Sequence, residues 1–264
     1  MQFLVSGVST GSIYVLIALG LITIYNVTGV VNMAQGEFVM LGAMAAVTLE
    51  RLGLPLGAAF AGAVALAVLV GALVYRLTIR PARHAPDVTL IIITIGTAIA
   101  LRGLALLAWG TTPQSLPEFS PGAPVNVLGA VLSRQRLWIM GAAGITLLLL
   151  YLFFQGTLLG KAVRACSVNR RAAELAGIDT AAMALVAYGI SAALGAVAGI
   201  VIAPLTLVSY DMGLSLGLKG FVVAIMGGLV NAPAAVVGGL LLGVLESFAS
   251  GLVSSGVKDA LAYL

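Results

Sequence analysis

The hexapeptide Asn32-Met33-Ala34-Gln35-Gly36-Glu37 sets two amides beside a carboxylate, and no charged side chain precedes Glu37 in the chain. An ionised side chain near the centre of a bilayer costs about 3 kcal/mol or more, so this carboxylate must face protein, water or a membrane surface. Thr28-Gly29 reads as a helix end, and Asn32 with Gln35 three residues later reads as the cap of a fresh helix. A break of this kind survives inside a membrane only where it is buried in protein or lines a watery cavity. Asn32, Gln35, Gly36 and Glu37 are therefore candidates for a transport pathway or gate. The competing reading is a polar turn at the membrane surface, with Glu37 solvated. Arg102 stands alone in an apolar run and joins the pathway candidates, because it could meet a carboxylate there. Snorkelling to the interface or pairing inside the bundle is the commoner fate of such an arginine.

A second constellation lies in the segment 160–179. Residues 168–176 can form a short helix that stops at Gly177, with Val168, Ala172 and Leu175 on one side and Asn169, Arg170, Arg171 and Glu174 on the other. Such a helix is a handle for a partner protein, or it lies on lipid with its arginines near anionic headgroups. Other reactive types are scarce. His84 falls in a basic loop and suits solvation better than metal ligation, and the single Cys166 excludes an internal disulfide. Glu246 is expected to pair with Lys219 or Lys258, and Asp211 reads as a solvated loop end. No Gly-x-x-x-x-Gly-Lys-[Ser/Thr] phosphate loop is present, so the chain is not an ATPase by itself. With one histidine in a loop, an intramembrane enzyme ranks last.

The elements that must hold these residues are membrane helices. Of the 264 residues 61% are hydrophobic and 8% charged, against roughly 25% charged in soluble domains. The net charge of +4 fits loop arginines on one side of a bilayer, and there is no aromatic-rich basic patch for nucleic acid. Apolar runs of bilayer length place spans at about 3–28, 32–49, 54–75, 88–109, 137–159 and 181–203, with Pro204 ending the last. The run 221–245 is divided at Gly227-Gly228 and Asn231-Ala232-Pro233 into two shorter helices. The expectation is an all-α polytopic protein, a single domain over 1–264 with about eight transmembrane helices, broken near 29–36 and 227–233. The proline-rich stretch 110–136 reads as a loop with a short surface helix near its end. No cleavable signal peptide is apparent at the start. The last apolar piece is too short to cross unaided, so it lies at the surface or a final span is missing. Arg76, Arg80, Arg83, Lys161, Arg164, Arg170 and Arg171 outnumber Arg51, Arg134, Arg136 and Lys219. That bias puts 76–87 and 160–179 in the cytoplasm and 110–136 outside, with the N-terminus. Gly7/Gly11, Gly195/Gly199 and Gly239/Gly243 have the small-xxx-small spacing of close helix contacts.

Taken together, several stretches resemble one family. Gly11-Ser12-Ile13-Tyr14 through Ala18-Leu19-Gly20-Leu21, followed by Asn32 to Phe38, is similar to the opening of the branched-chain amino-acid ABC transporter permeases, nearer the LivH branch than LivM. Arg164-Ala165-Cys166 with Ala176-Gly177-Ile178 resembles that family's cytoplasmic coupling loop. Gly217 to Phe221, then Gly227-Gly228 and Gly238-Gly239 to Glu246-Ser247, resembles its C-terminal signature. The resemblance implies a subunit of an ATP-driven importer in the bacterial inner membrane. Its partners would be a second permease subunit, two cytoplasmic ATPases that bind ATP and Mg, and a periplasmic substrate-binding protein; no cofactor belongs to the chain itself. Arg164, Asn169, Arg170, Arg171, Glu174 and Gly177 would couple to the ATPases. Family members usually carry a further span and a basic tail, absent after Leu264, and a Ser-Ile-Pro-Gly flavour where this chain has Asn231-Ala232-Pro233-Ala234. A urea or short-amide importer permease shares the same signature, and a stand-alone secondary transporter driven through Glu37 is the alternative of a different class.

Overall fold

A computed structural model describes residues 1–127 and 130–252. It is a helical bundle of α1 (Gln2–Thr28), α2 (Gln35–Arg51), α3 (Leu56–Val74), α4 (Asp87–Trp109), α5 (Arg134–Gly156), α6 (Leu158–Val168), α7 (Arg170–Leu175), α8 (Thr180–Ile202), α9 (Met212–Met226) and α10 (Ala232–Leu252). A π-helical turn, Tyr75–Ile79, prolongs α3 into the first basic loop. Six of these helices are long and apolar enough to cross a membrane: α1, α3 with its π-turn, α4, α5, α8 and α10. The chain is a multi-pass membrane protein. At 17 and 15 residues, α2 and α9 fall short of that length.

Small residues decide which helices touch. The two expected glycine pairs on α1 and α10 face each other. An added Cβ at Gly7 would stand 2.5 Å from the Val244 Cα, and one at Gly11 would stand 2.9 Å from the Leu240 Cα. Backbone therefore meets backbone, a contact open only to glycine. Gly195 and Gly199 of α8 do the same for α2, where a Cβ at Gly199 would lie 2.9 Å from the Val39 carbonyl carbon. Helices α1, α2 and α8 form the buried centre, with Tyr188, Phe38, Leu16 and Met44 among the largest side chains fully enclosed. Helices α3, α4 and α5 pack outside it and expose rows of Leu and Ile, such as Leu69, Ile92 and Leu148, as a lipid-facing wall must.

Four expectations change. The end of the proline-rich loop is a hairpin rather than a helix: β1 (Val125–Val127) pairs antiparallel with β2 (Ala130–Leu132), so the protein is not strictly all-α. Helix α5 begins at Arg134 instead of about 137, and after a break at Thr157 the basic segment continues as α6 instead of an open loop. Helix α9 begins at Met212, well before Phe221, because its one cation is neutralised inside the bundle as described below. Glycine and asparagine do divide the last apolar run as expected: α9 stops at Gly227, and the Asn231 Oδ1 accepts the Ala234 N–H at 3.2 Å at the start of α10. Lys258 and the last apolar piece lie outside the described residues.

Candidate functional site

The chain turns back into the bundle after α1. Gly29, at φ 73° in the left-handed region, ends the helix and donates its N–H to the Tyr25 carbonyl at 2.7 Å. Residues 30–34 then carry the chain inward, so α2 starts beside the middle of its neighbours instead of at their ends. Gln35 fixes that depth. Its Nε2 donates to the Ser191 carbonyl at 3.1 Å, halfway along α8, and the Ser191 hydroxyl donates to its Oε1. Gly20 of α1 leaves room for that amide, since a Cβ there would stand 2.9 Å from the Gln35 Cδ. The expected cap is different in detail. Asn32 accepts the Ala34 N–H at 3.2 Å and tightens the turn, α2 begins at Gln35, and Gln35 reaches across to α8 instead of back to Asn32. The buried Ser191 groups need a partner, and that demand wins over a local capping box.

Glu37 is 1% exposed, so the solvated surface turn does not describe it. Its Oε1 lies 2.5 Å from an Arg102 terminal nitrogen of α4, in an ion pair whose arginine side is 24% exposed. Both candidates thus meet, and Arg102 pairs within the bundle. The pair is incompletely satisfied. Glu37 Oε2, Arg102 Nε and Asn32 Nδ2 are buried with no hydrogen-bond partner. All three residues line one cavity of about 260 Å³, together with Leu21 of α1, Ile99 of α4, and Leu214 and Phe221 of α9. The α9 wall can come this close because Gly36 meets Gly213 and Gly217: a Cβ at Gly36 would lie 2.8 Å from the Gly213 carbonyl carbon. The sequence reading leaves out Gly213, Ser191 and Thr94, whose hydroxyl accepts the Met33 N–H at 3.1 Å. The four-residue spacing of Gly213 and Gly217 is the signal that could have found the first; nothing local marks the other two.

A second buried ionic group ties α9 to α10 and α1. Lys219 Nζ lies 2.5 Å from Glu246 Oε1, and the Tyr14 hydroxyl donates to Glu246 Oε2 at 2.6 Å. Of the two expected partners of Glu246, the structure shows Lys219.

The segment 160–179 is helical and heavily capped. Thr157 Oγ1 accepts the Gly160 N–H at 2.9 Å, Asn169 Oδ1 accepts the Ala172 N–H at 3.0 Å, and Asp179 Oδ1 accepts two N–H groups of α8. Asn169 therefore splits the expected helix, leaving Val168 as the last residue of α6. Glu174 accepts the Thr180 hydroxyl at 2.7 Å and sits 3.6 Å from Arg170, while Gly177 turns the chain at φ 83°. Arg164, Arg170 and Arg171 are all exposed. The apolar side is not where the sequence put it: Ala173 is buried, whereas Val168 and Leu175 are 87% and 90% exposed. Gly177 and the N-cap of α8 fix the rotation of α7, and with it which side faces the bundle.

Cys166 lies on the buried side of α6, and burial pushes its thiol above the usual cysteine range. Less thiolate and less access both slow alkylation. We expect N-ethylmaleimide at pH 8 to label it at least tenfold more slowly in the native protein than after unfolding in SDS, as read by intact-mass spectrometry.

The chain also has recognisable relatives among known proteins. Residues 3–264 match the profile of the family described as "Branched-chain amino acid transport system / permease component". The chain is 31% identical to the high-affinity branched-chain amino acid transport system permease protein BraD of Pseudomonas aeruginosa, covering 100% of this chain and 90% of that protein. It is equally 31% identical to the corresponding permease protein LivH of Escherichia coli, with the same coverage. A probable LivH of Methanocaldococcus jannaschii is 28% identical over 89% of this chain and 76% of the relative. On a match running nearly end to end, the chain belongs to the branched-chain amino acid transport permease family.

Proposed function

We propose that this chain is the membrane subunit of an ATP-driven importer that moves branched-chain amino acids across a bacterial inner membrane by alternating access. The observation that carries the reading is the polar cluster at mid-bundle. A broken helix, a buried carboxylate and a half-buried arginine share a cavity whose rim residues Ile99 and Leu214 are exposed on the surface of the chain. Neither an arginine nor an unpaired carboxylate oxygen is tolerated against hydrocarbon, so this face borders a pathway or another subunit. In this reading α2 and α9 are membrane-embedded half-helices, which raises the six long spans to about eight. Half-helices of this kind build transport sites near the bilayer midplane.

The exposed Val168 and Leu175, flanked by Arg164, Arg170 and Arg171, form the cytoplasmic handle for an ATPase. The caps at Asn169 and Asp179 make the handle stiff, so a push on α7 reaches α8 directly. ATP and Mg belong to that partner, and a second permease subunit and a binding protein complete the assembly. The family's substrate class favours this over a urea or short-amide importer.

Replacing Arg170 and Arg171 by Glu is expected to cut co-purification of the ATPase and ATP-driven leucine uptake at least tenfold in proteoliposomes, with the permease still folded. Unchanged assembly and uptake would remove the role assigned to this segment. Uptake by the chain alone, driven by a proton gradient in ATP-free vesicles, would overturn the importer reading.

A further inference from the structure

A different cavity, of about 400 Å³, opens on the other side of α1 from Glu37. Leu19 lines it while Leu21 lines the cavity behind Glu37, and residues two apart lie on opposite sides of a helix. Its remaining walls are apolar, with Leu147 and Phe154 of α5, Val163 of α6 and Val236 of α10. From Leu19 to Asn26 the crevice runs about 10 Å along α1. It ends where α1 and α5 stop and α10 starts, because Asn26, Gln155 and Pro233 lie within a turn of those helix ends. The mouth has another chemistry. Helix α6 brings Arg164 and Ser167 there, and Arg164 Nη1 donates to Gln155 Oε1 at 3.1 Å. Arg164 forms no ion pair among the described residues. Asn26 and Ser167 also line an adjoining pocket of about 350 Å³ that reaches Arg170. Among the described residues, no Asp or Glu lines either space.

We infer that this crevice is a site for one anionic phospholipid of the cytoplasmic leaflet, with an acyl chain along Leu19, Leu147 and Val236 and the phosphate held by Arg164 at the mouth. The site is independent of what the protein transports. It needs only the orientation that puts 160–179 in the cytoplasm.

Two features select this occupant. The walls offer water no partners, and the volume far exceeds the roughly 30 Å³ share of one water, so hydrocarbon fills the recess. The mouth then decides which lipid supplies it. A guanidinium whose one recorded bond goes to a neutral amide has donors left for a phosphate. Lys161 stands one turn before Arg164 on α6, and the start of α10 adds the positive end of a helix dipole. Basic pockets between membrane helices on the cytoplasmic side hold anionic headgroups in this way. A choline or ethanolamine headgroup would bring a cation back to a mouth that already carries uncompensated positive charge. The flat outer face of α4 treats all lipids alike; a recess with one basic end does not.

The test is native mass spectrometry of the purified full-length chain, alone and with its ATPase, in detergent. Phosphatidylglycerol and phosphatidylcholine of equal chain length are the probes. Wild type should retain one phosphatidylglycerol at least tenfold more tightly than phosphatidylcholine. Arg164→Gln, a change at an exposed side chain, should erase that preference, and Arg164→Lys should keep most of it. Leu147→Trp fills the crevice and should carry one lipid fewer per chain. Leu148→Trp, on the exposed face of α5, is the control and should carry the wild-type number. Equal retention of the two lipids by wild type, or an unchanged preference in Arg164→Gln, would overturn the site. A monodisperse Leu147→Trp with its full complement would do the same; if that variant does not fold, the Arg164 pair decides. Displacement of the lipid by excess inorganic phosphate would leave an anion site without an acyl chain, and overturn it. Loss of the lipid when the ATPase joins would give the crevice to the ATPase instead.

Discussion

Gly36→Leu is expected to leave little folded permease. At Gly36 the added atoms would meet the Gly213 carbonyl and stand 3.0 Å from the Gly217 Cα, so the obstacle is backbone rather than a side chain that can rotate away. Overpacking costs about 1–3 kcal/mol where neighbours can yield, and more where they cannot. Relief would require α2 and α9 to separate, which opens the cavity behind Glu37 and exposes its ion pair. Against a total stability of about 5–15 kcal/mol, such a change is severe. Fluorescence-detected size exclusion in detergent should show the monodisperse peak falling at least fivefold. Gly36→Ala should be milder yet still lower the thermal midpoint. A leucine variant with wild-type yield and midpoint would mean that the two helices do not approach as described.

Lys219→Met should be nearly as damaging, for an electrostatic reason. It takes the Lys219 ammonium, 2.5 Å away, from the Glu246 carboxylate, which is 2% exposed and still accepts the Tyr14 hydroxyl. Breaking a buried ion pair from one side costs about 3–5 kcal/mol. Removing both charges need not, because the desolvation penalty disappears with them. The double variant Lys219→Met/Glu246→Gln keeps an acceptor for Tyr14 and should recover to within about 1 kcal/mol of wild type. The comparison is read from thermal midpoints of single and double variants. If the double variant is as unstable as the single one, the pair is not what holds α9 against α10.

Hydropathy made the long spans legible, and composition alone excluded a soluble protein. The two breaks were legible because Gly29 and Gly227, with Asn32 and Asn231, are unambiguous stops and turns. The starting point of α9 was not. Lys219 reads as a helix boundary in an apolar protein, and its distant partners Glu246 and the Tyr14 ring let the helix run through it. The same limit governs the site. Glu37 and Arg102 were each visible as misplaced charges, but their meeting depends on how α2 and α4 are brought together. Gln35 was assigned a local capping task because its real partner, Ser191, lies on another helix. Helix α7 shows the opposite problem. Val168 and Leu175 read as a buried side because they are apolar, yet both stand exposed because the turn at Gly177 points Ala173 inward instead.

Where α1 and α10 cross, Gly7 and Gly11 lie against Gly243 and Gly239 without a side chain between them. Two rods in bare backbone contact have no compliant layer to slide on, so they must travel as one stiff mast. Any opening and closing then has to be taken up elsewhere in the chain. The same reasoning joins α9 to this mast, since Gly213 and Gly217 meet the backbone of Gly36 and Lys219 is paired to Glu246 of α10. A protein that must stay sealed while admitting cargo is served by such a keel, which holds its line while the rest yields.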